Sequence, residues 1–216
     1  MNATHTPEDN RLRIGAIVIL IPFALLTALA IATDGSNGFA NAITHNWLAF
    51  QIWLDLVIAM VFWAAWVIRD AKSQNLNPWG WVITSFIFGA FVPLIYTLVY
   101  RRWPATPASD SVGDNAQGRR ILGALMFLAL AAVTVMGLVV DGTDVPGVIT
   151  HSWSNTQIWV DLVIVILLWM PWMVSDARAN QRNPWGWVVA ALLVGSFSPL
   201  LYLMIYGRWP ASHPNS

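Results

Sequence analysis

The sequence predicts an all-α membrane protein of six transmembrane helices, arranged as two inverted three-helix repeats. Three observations carry that expectation. First, the chain is 57% hydrophobic and only 10% charged, with mean hydropathy +0.58. A soluble domain carries about 25% charged residues, so the deficit points to lipid as the solvent. Second, six apolar stretches reach spanning length: 14–32, 47–68, 79–100, 121–140, 153–174 and 185–206. About 20 residues of helix cross about 30 Å of hydrocarbon. Third, residues 45–104 and 151–210 align without a gap at an offset of 106, with 28 identities over 60 positions. All 14 tryptophans fall in seven equivalent pairs. An internal duplication in an apolar chain is a recurring way to build a transporter or pore.

The elements follow in order. Residues 1–13 are polar and mixed in charge. The first apolar stretch reads as a retained helix, because Thr33-Asp34-Gly35-Ser36 makes a poor signal-peptide cleavage site. The second helix follows His45 and begins at Trp47. The third starts at Asn77-Pro78, a capping asparagine before a helix-compatible proline. Residues 105–118 are small, polar and turn-rich, and read as an exposed linker between a first repeat (1–104) and a second (119–216). In the second repeat Asp141-Gly142 answers Asp34-Gly35, and Asn183-Pro184 answers Asn77-Pro78. Pro171 stands where the first half has Ala65, and is expected to kink only the fifth helix. No stretch shows the ten-residue alternation of a membrane β-barrel.

Three full spans per repeat force the second half to enter upside down, about an axis in the membrane plane. The charges fit this poorly. Arg11, Arg13, Arg69 and Lys72 would lie on one side, and the other seven basic residues on the opposite side. A rival topology makes the third segment of each half re-entrant, turning back at residues 89–93 and 195–199. It would gather all eleven basic residues on one side. Against it stands the cost of exposing bent backbone to lipid. The six-span arrangement is the expectation on length.

Asp55 and Asp161 lead the candidates for chemistry. Each sits in Gln-Ile-Trp-x-Asp-Leu-Val-Ile, about 12 Å into its helix. A carboxylate at that depth costs at least about 2.5 kcal/mol and is usually functional. Gln51 and Gln157 lie one turn earlier and are placed to hydrogen-bond them. Trp53 and Trp159 lie close by. Together these six residues form the predicted ligand or ion pathway between the halves. The alternative role for the aspartates is structural, as polar glue between helices.

Asp70 and Asp176 end the second helix of each half, where the dipole opposes an acid. The inverted topology pairs Asp70 with Arg208 and Asp176 with Arg102, as structural salt bridges. The other tryptophans read as interfacial anchors. Trp47 and Trp66 bracket one helix, and Trp79 and Trp103 lie about 36 Å apart along another. Tyr96/Tyr100 and Tyr202/Tyr206 form i,i+4 stripes that pack between helices. His45 and His151 suggest a bis-imidazole haem only if one membrane face holds both; no cofactor signature accompanies them.

Other classes are excluded. Zero net charge offers nucleic acid no basic field, and the absence of cysteine removes thiolate chemistry and disulfides. No P-loop, nucleophile elbow, His-Glu-x-x-His or dinucleotide turn occurs, which argues against an ordinary hydrolase or kinase. No metal site is predicted, the cofactor is unknown, and whether the chain is an enzyme stays open.

The pattern Trp53-x-Asp55-Leu56, Trp63, Asp70-Ala71, Trp79, Gly89, Pro93-Leu94, Tyr96 and then Arg101 or Arg102, with its second-half equivalents, resembles two families. One is a set of small three-helix bacterial membrane proteins of unknown function. The other is the plant membrane family required for neoxanthin formation, whose similarity lies around the Asp-Leu, Asp-Ala and Gly-Pro…Tyr…Arg positions. The tandem arrangement, and Pro93 four residues after the glycine, depart from the plant pattern. The resemblance implies a carotenoid or isoprenoid connection. Two functions therefore stand side by side: a small transporter or channel with its site between the repeats, and a membrane enzyme or binding protein for a carotenoid or other isoprenoid. The expected partners are the lipid bilayer, an apolar or small-ion ligand, and further copies of the chain. The expected location is the cell membrane, the inner one in a bacterium.

Overall fold

The structure, a computed structural model, describes residues 7–100 and 116–208. The described residues are helical, with ten helices in two similar sets. In the first, α1 (Pro7–Asp34) leads through the short α2 (Gly38–Thr44) to α3 (Trp47–Ser73), then to α4 (Trp79–Phe88) and α5 (Phe91–Tyr100). In the second, α6 (Ala116–Val140) leads through α7 (Val145–Ile149) to α8 (Trp153–Ala179), then to α9 (Trp185–Val194) and α10 (Phe197–Tyr206).

Local chemistry sets the long helices. Asn46 caps α3 by accepting from the Ala49 N–H at 2.7 Å, and Ser152 caps α8 by accepting from Asn155 at 3.1 Å. Both helices end in a residue with left-handed backbone, Asn75 (φ 56°) and Gln181 (φ 55°). Four helices are long and apolar enough to cross a membrane: α1, α3, α6 and α8. Helices α3 and α8 are largely buried and pack on each other, while α1 and α6 flank them with mostly exposed apolar faces. That is the pattern of a bundle whose rim faces lipid.

The predicted third spans are not spans. Each is a hairpin of two ten-residue helices, α4–α5 and α9–α10, turning at Gly89 and Gly195. A continuous helix would separate Trp81 from Tyr100 by about 28 Å. Their rings instead lie 5.7 Å apart, and those of Trp187 and Tyr206 lie 6.0 Å apart. The chain therefore leaves each hairpin at the end where it entered. Hairpin α4–α5 lies between α1 and α3, and α9–α10 between α6 and α8. Phe91 packs against Phe23 (4.5 Å) and Phe197 meets Phe127 edge-on (5.2 Å) at the turns.

The inverted arrangement fails with the six spans. His45 and His151, just before α3 and α8, stack at 3.8 Å, and Phe62 meets Trp169 at 5.9 Å further along the same helices. Helices α3 and α8 are therefore parallel. The halves exchange contacts in pairs. The Asp34 carboxylate at the end of α1 accepts from the Ser154 N–H at 2.6 Å, and Asp141 at the end of α6 accepts from Leu48 at 2.9 Å. Each acid stands at the C-terminus of its own helix, where the dipole opposes it, but caps the N-terminus of a helix from the other half. These contacts put the ends of α1 and α6 beside the starts of α3 and α8. The nine described basic residues, all but Arg101 and Arg102, then cluster at the opposite end.

Two further expectations change. Trp66 is not an interfacial anchor: Trp63, Trp66, Trp169 and Trp172 are among the most deeply buried side chains. Trp66 meets Tyr96 edge-on at 5.7 Å, and Trp172 meets Tyr202 at 5.8 Å. Trp79 does not span to the far belt, because its helix turns back; Trp103 lies outside the described residues.

Candidate functional site

The site begins with the break in each hairpin. Gly89 (φ 57°, ψ −140°) and Gly195 (φ 61°, ψ −136°) adopt backbone that only glycine enters readily. A β-carbon there would collide with Asp161 Oδ2 in one case and Asp55 Oδ2 in the other. The break frees N–H groups at the start of α5 and α10, and in lipid each orphan costs several kcal/mol. The aspartates answer it crosswise. Asp161 Oδ1 accepts from the Ala90 N–H at 2.6 Å, and Asp55 Oδ1 accepts from Ser196 at 2.8 Å. Ser196 Oγ also donates to the Asp55 backbone carbonyl at 3.1 Å. Both carboxylates are deeply buried, 6% and 4% exposed. Each sits at the N-terminal end of a short helix, where the freed N–H groups point at it.

Two cavities flank these contacts. The larger, about 590 Å³, is lined by Asp161, Gln157, Trp53 and the end of α4. The smaller, about 300 Å³, is lined by Asp55, Gln51, Trp159 and the end of α9. Their mouths carry Phe86, Ile87 and Phe88 in one and Leu192, Leu193 and Val194 in the other, all exposed apolar side chains. Both volumes fall in the range of small-molecule sites.

The six residues expected to form one pathway thus divide into two groups of three, each drawn from both halves. Asp161 and Gln157 share a cavity with Trp53; Asp55 and Gln51 share the other with Trp159. The expected hydrogen bonds from the glutamines to the aspartates do not form. The freed backbone N–H is the stronger claim on each carboxylate, since a buried backbone donor must be paired. The sequence reading missed the backbone of Ala90 and Ser196 as partners, and Asp34 and Asp141 as caps. Two signals point to the turns: the Gly-x-Phe-x-Pro spacing at residues 89–93 and 195–199, and the charge distribution that re-entrant segments satisfy.

The expected pairing of Asp70 with Arg208 does not form. Arg208 pairs with Asp176 of its own half at 3.0 Å, because α10 returns to the end of α8. Tyr202 donates to the same carboxylate at 2.5 Å. Asp70 accepts from Tyr96 at 2.6 Å and from Gln74 at 2.8 Å. Arg102 lies outside the described residues. Arg182 stacks over Tyr206 at 3.7 Å.

His45 and His151 do meet, in a polar recess of about 210 Å³ with Asp34 and Asn41. The imidazoles lie face to face, 20° from parallel. Rings stacked this closely leave no room for a haem iron between their nitrogens. Among the described residues no three His, Asp or Glu side chains converge to hold a metal. The long apolar helices fit an integral membrane protein. No protein-family model, curated protein or solved structure matches the chain.

Proposed function

We propose that the protein is a membrane-embedded binding protein that takes a lipid-soluble molecule sideways from the bilayer into the cavities at its hairpin tips. The observation that carries this reading is the pair of cavities itself, apolar at the mouth with an acid, an amide and an indole within. Such a lining suits a largely apolar molecule with one polar end. The resemblance to the neoxanthin-formation family points the same way, to a carotenoid or other isoprenoid. The positive-inside rule puts the basic end on the cytoplasmic side of the cell membrane.

Retinyl methyl ether, an apolar isoprenoid that accepts excitation from tryptophan, tests it in phosphatidylcholine nanodiscs. The expected result is saturable energy transfer, lost when Val57→Phe and Val163→Phe narrow both cavities. Val57 and Val163 line the larger and smaller cavity respectively. Non-saturating uptake, equal in wild type and double variant, would overturn the reading.

One observation favours a transporter instead: discontinuous helices whose ends meet a buried carboxylate are a recurring arrangement at transport sites. In liposomes that reading requires a proton or cation flux abolished by Asp55→Asn and Asp161→Asn.

A further inference from the structure

The two cavities are not equivalent, and their differences are chemical. Gln157 is only 5% exposed. Its side-chain amide forms no hydrogen bond with the described residues, yet it is not among the fully enclosed unsatisfied groups, so what surface it keeps opens onto the larger cavity. A largely buried amide that opens onto a cavity without a protein partner marks a place where the polar group of a ligand fits. Its counterpart Gln51 is only half-buried. The second difference is at the hairpin tips. Ser196 ties its hairpin to α3 through both backbone and hydroxyl, whereas Ala90 has only its N–H to give Asp161. The more firmly tied tip borders the smaller cavity, about 300 Å³ against about 590 Å³.

Resting on the lateral-binding reading above, we infer that the larger cavity is the ligand site and that its ligand is a lipid-soluble alcohol. The hydroxyl accepts from the Gln157 amide and donates to Asp161 Oδ2, the oxygen that the Ala90 N–H leaves free. The apolar body lies on Trp53, Leu56, Met60 and Phe86. An alcohol meets both polar groups at once. A ketone or ether can only accept, and a hydrocarbon leaves both unpaired. Sites built to hydrogen-bond a hydroxyl reject analogues lacking it far more strongly than apolar pockets reject extra bulk. The smaller cavity keeps the duplicated residues in a structural role.

The test compares retinol with retinyl methyl ether on the full chain in phosphatidylcholine nanodiscs. Wild type is expected to bind retinol about tenfold or more tighter than the ether. Asp161→Asn, which replaces the acceptor facing the ligand by a donor, should bring the two within about twofold. Gln157→Leu should weaken retinol and the ether together because both accept from the amide, and Gln51→Leu should change neither. Thermal unfolding separates loss of site from loss of fold: Gln157→Leu removes an orphan amide and is expected to melt no lower than wild type. Equal binding of alcohol and ether by wild type would overturn the hydroxyl assignment while leaving lateral binding in place. An affinity loss equal in Gln157→Leu and Gln51→Leu would overturn the choice of cavity. A Gln157→Leu variant that melts well below wild type would overturn the claim that the amide is unpartnered for a ligand. Failure of both probes to saturate would bring down the lateral-binding reading with this one.

Discussion

Asp161 shows how much one side chain can be asked to do in lipid. Its Oδ1 accepts from the Ala90 N–H that the break in the backbone frees. Asp161→Asn keeps an acceptor oxygen and loses only the charge assistance, an expected cost of about 1 kcal/mol. Asp161→Leu leaves the Ala90 N–H without a partner, and about 3 kcal/mol or more should be lost. Thermal unfolding of the two variants in one detergent checks the order, and equal melting would show the contact to be idle. The importance of Asp55 and Asp161 was legible in the sequence, since an acid amid Ile, Trp, Leu and Val demands a reason. Their partners were not legible. A backbone N–H exposed by a turn has no letter of its own, and the neighbouring glutamines, visible in the sequence, drew the hydrogen bonds on paper.

The hairpins are the element where length misled. A stretch of 22 apolar residues serves equally for one crossing or for two limbs of ten and a turn. The objection to the second was the exposed backbone at the bend. It fails because a carboxylate 71 residues away in sequence arrives to cap it. No local window contains that fact. Gly89 and Gly195 decide the matter physically, and Gly89→Ala or Gly195→Ala is expected to cost about 1–3 kcal/mol in backbone strain alone, before the collision with the carboxylate. The same changes at Gly80 and Gly186, where an added β-carbon meets open space, should be close to neutral. A denaturation series across the four variants measures the contrast. The hairpin also explains why Arg208 finds Asp176 in its own half: the return limb delivers it there.

At the scale of the whole molecule, the charge pattern was the better guide. It favoured one basic face and one face without Lys or Arg, as the folded chain has among its described residues. The arrangement predicts that Ser36→Cys and Thr143→Cys, both exposed, react with a membrane-impermeant maleimide from the same side. Ser73→Cys, also exposed, should react only from the other. Reaction of positions 36 and 143 from opposite sides would restore the inverted topology.

The crosswise carboxylates also set an order in time. The turn at Gly89 is synthesised about seventy residues before the aspartate that closes it, and Asp55 waits longer still for Ser196. While the ribosome is working on the second half, the first cannot finish: its hairpin has an open end in lipid, and its acid has no helix to face. Completion comes only when α8 and then α9–α10 enter the membrane beside it. The protein is in this sense a dimer whose subunits share one chain, and the linker between them guarantees that the second subunit is always the next to arrive.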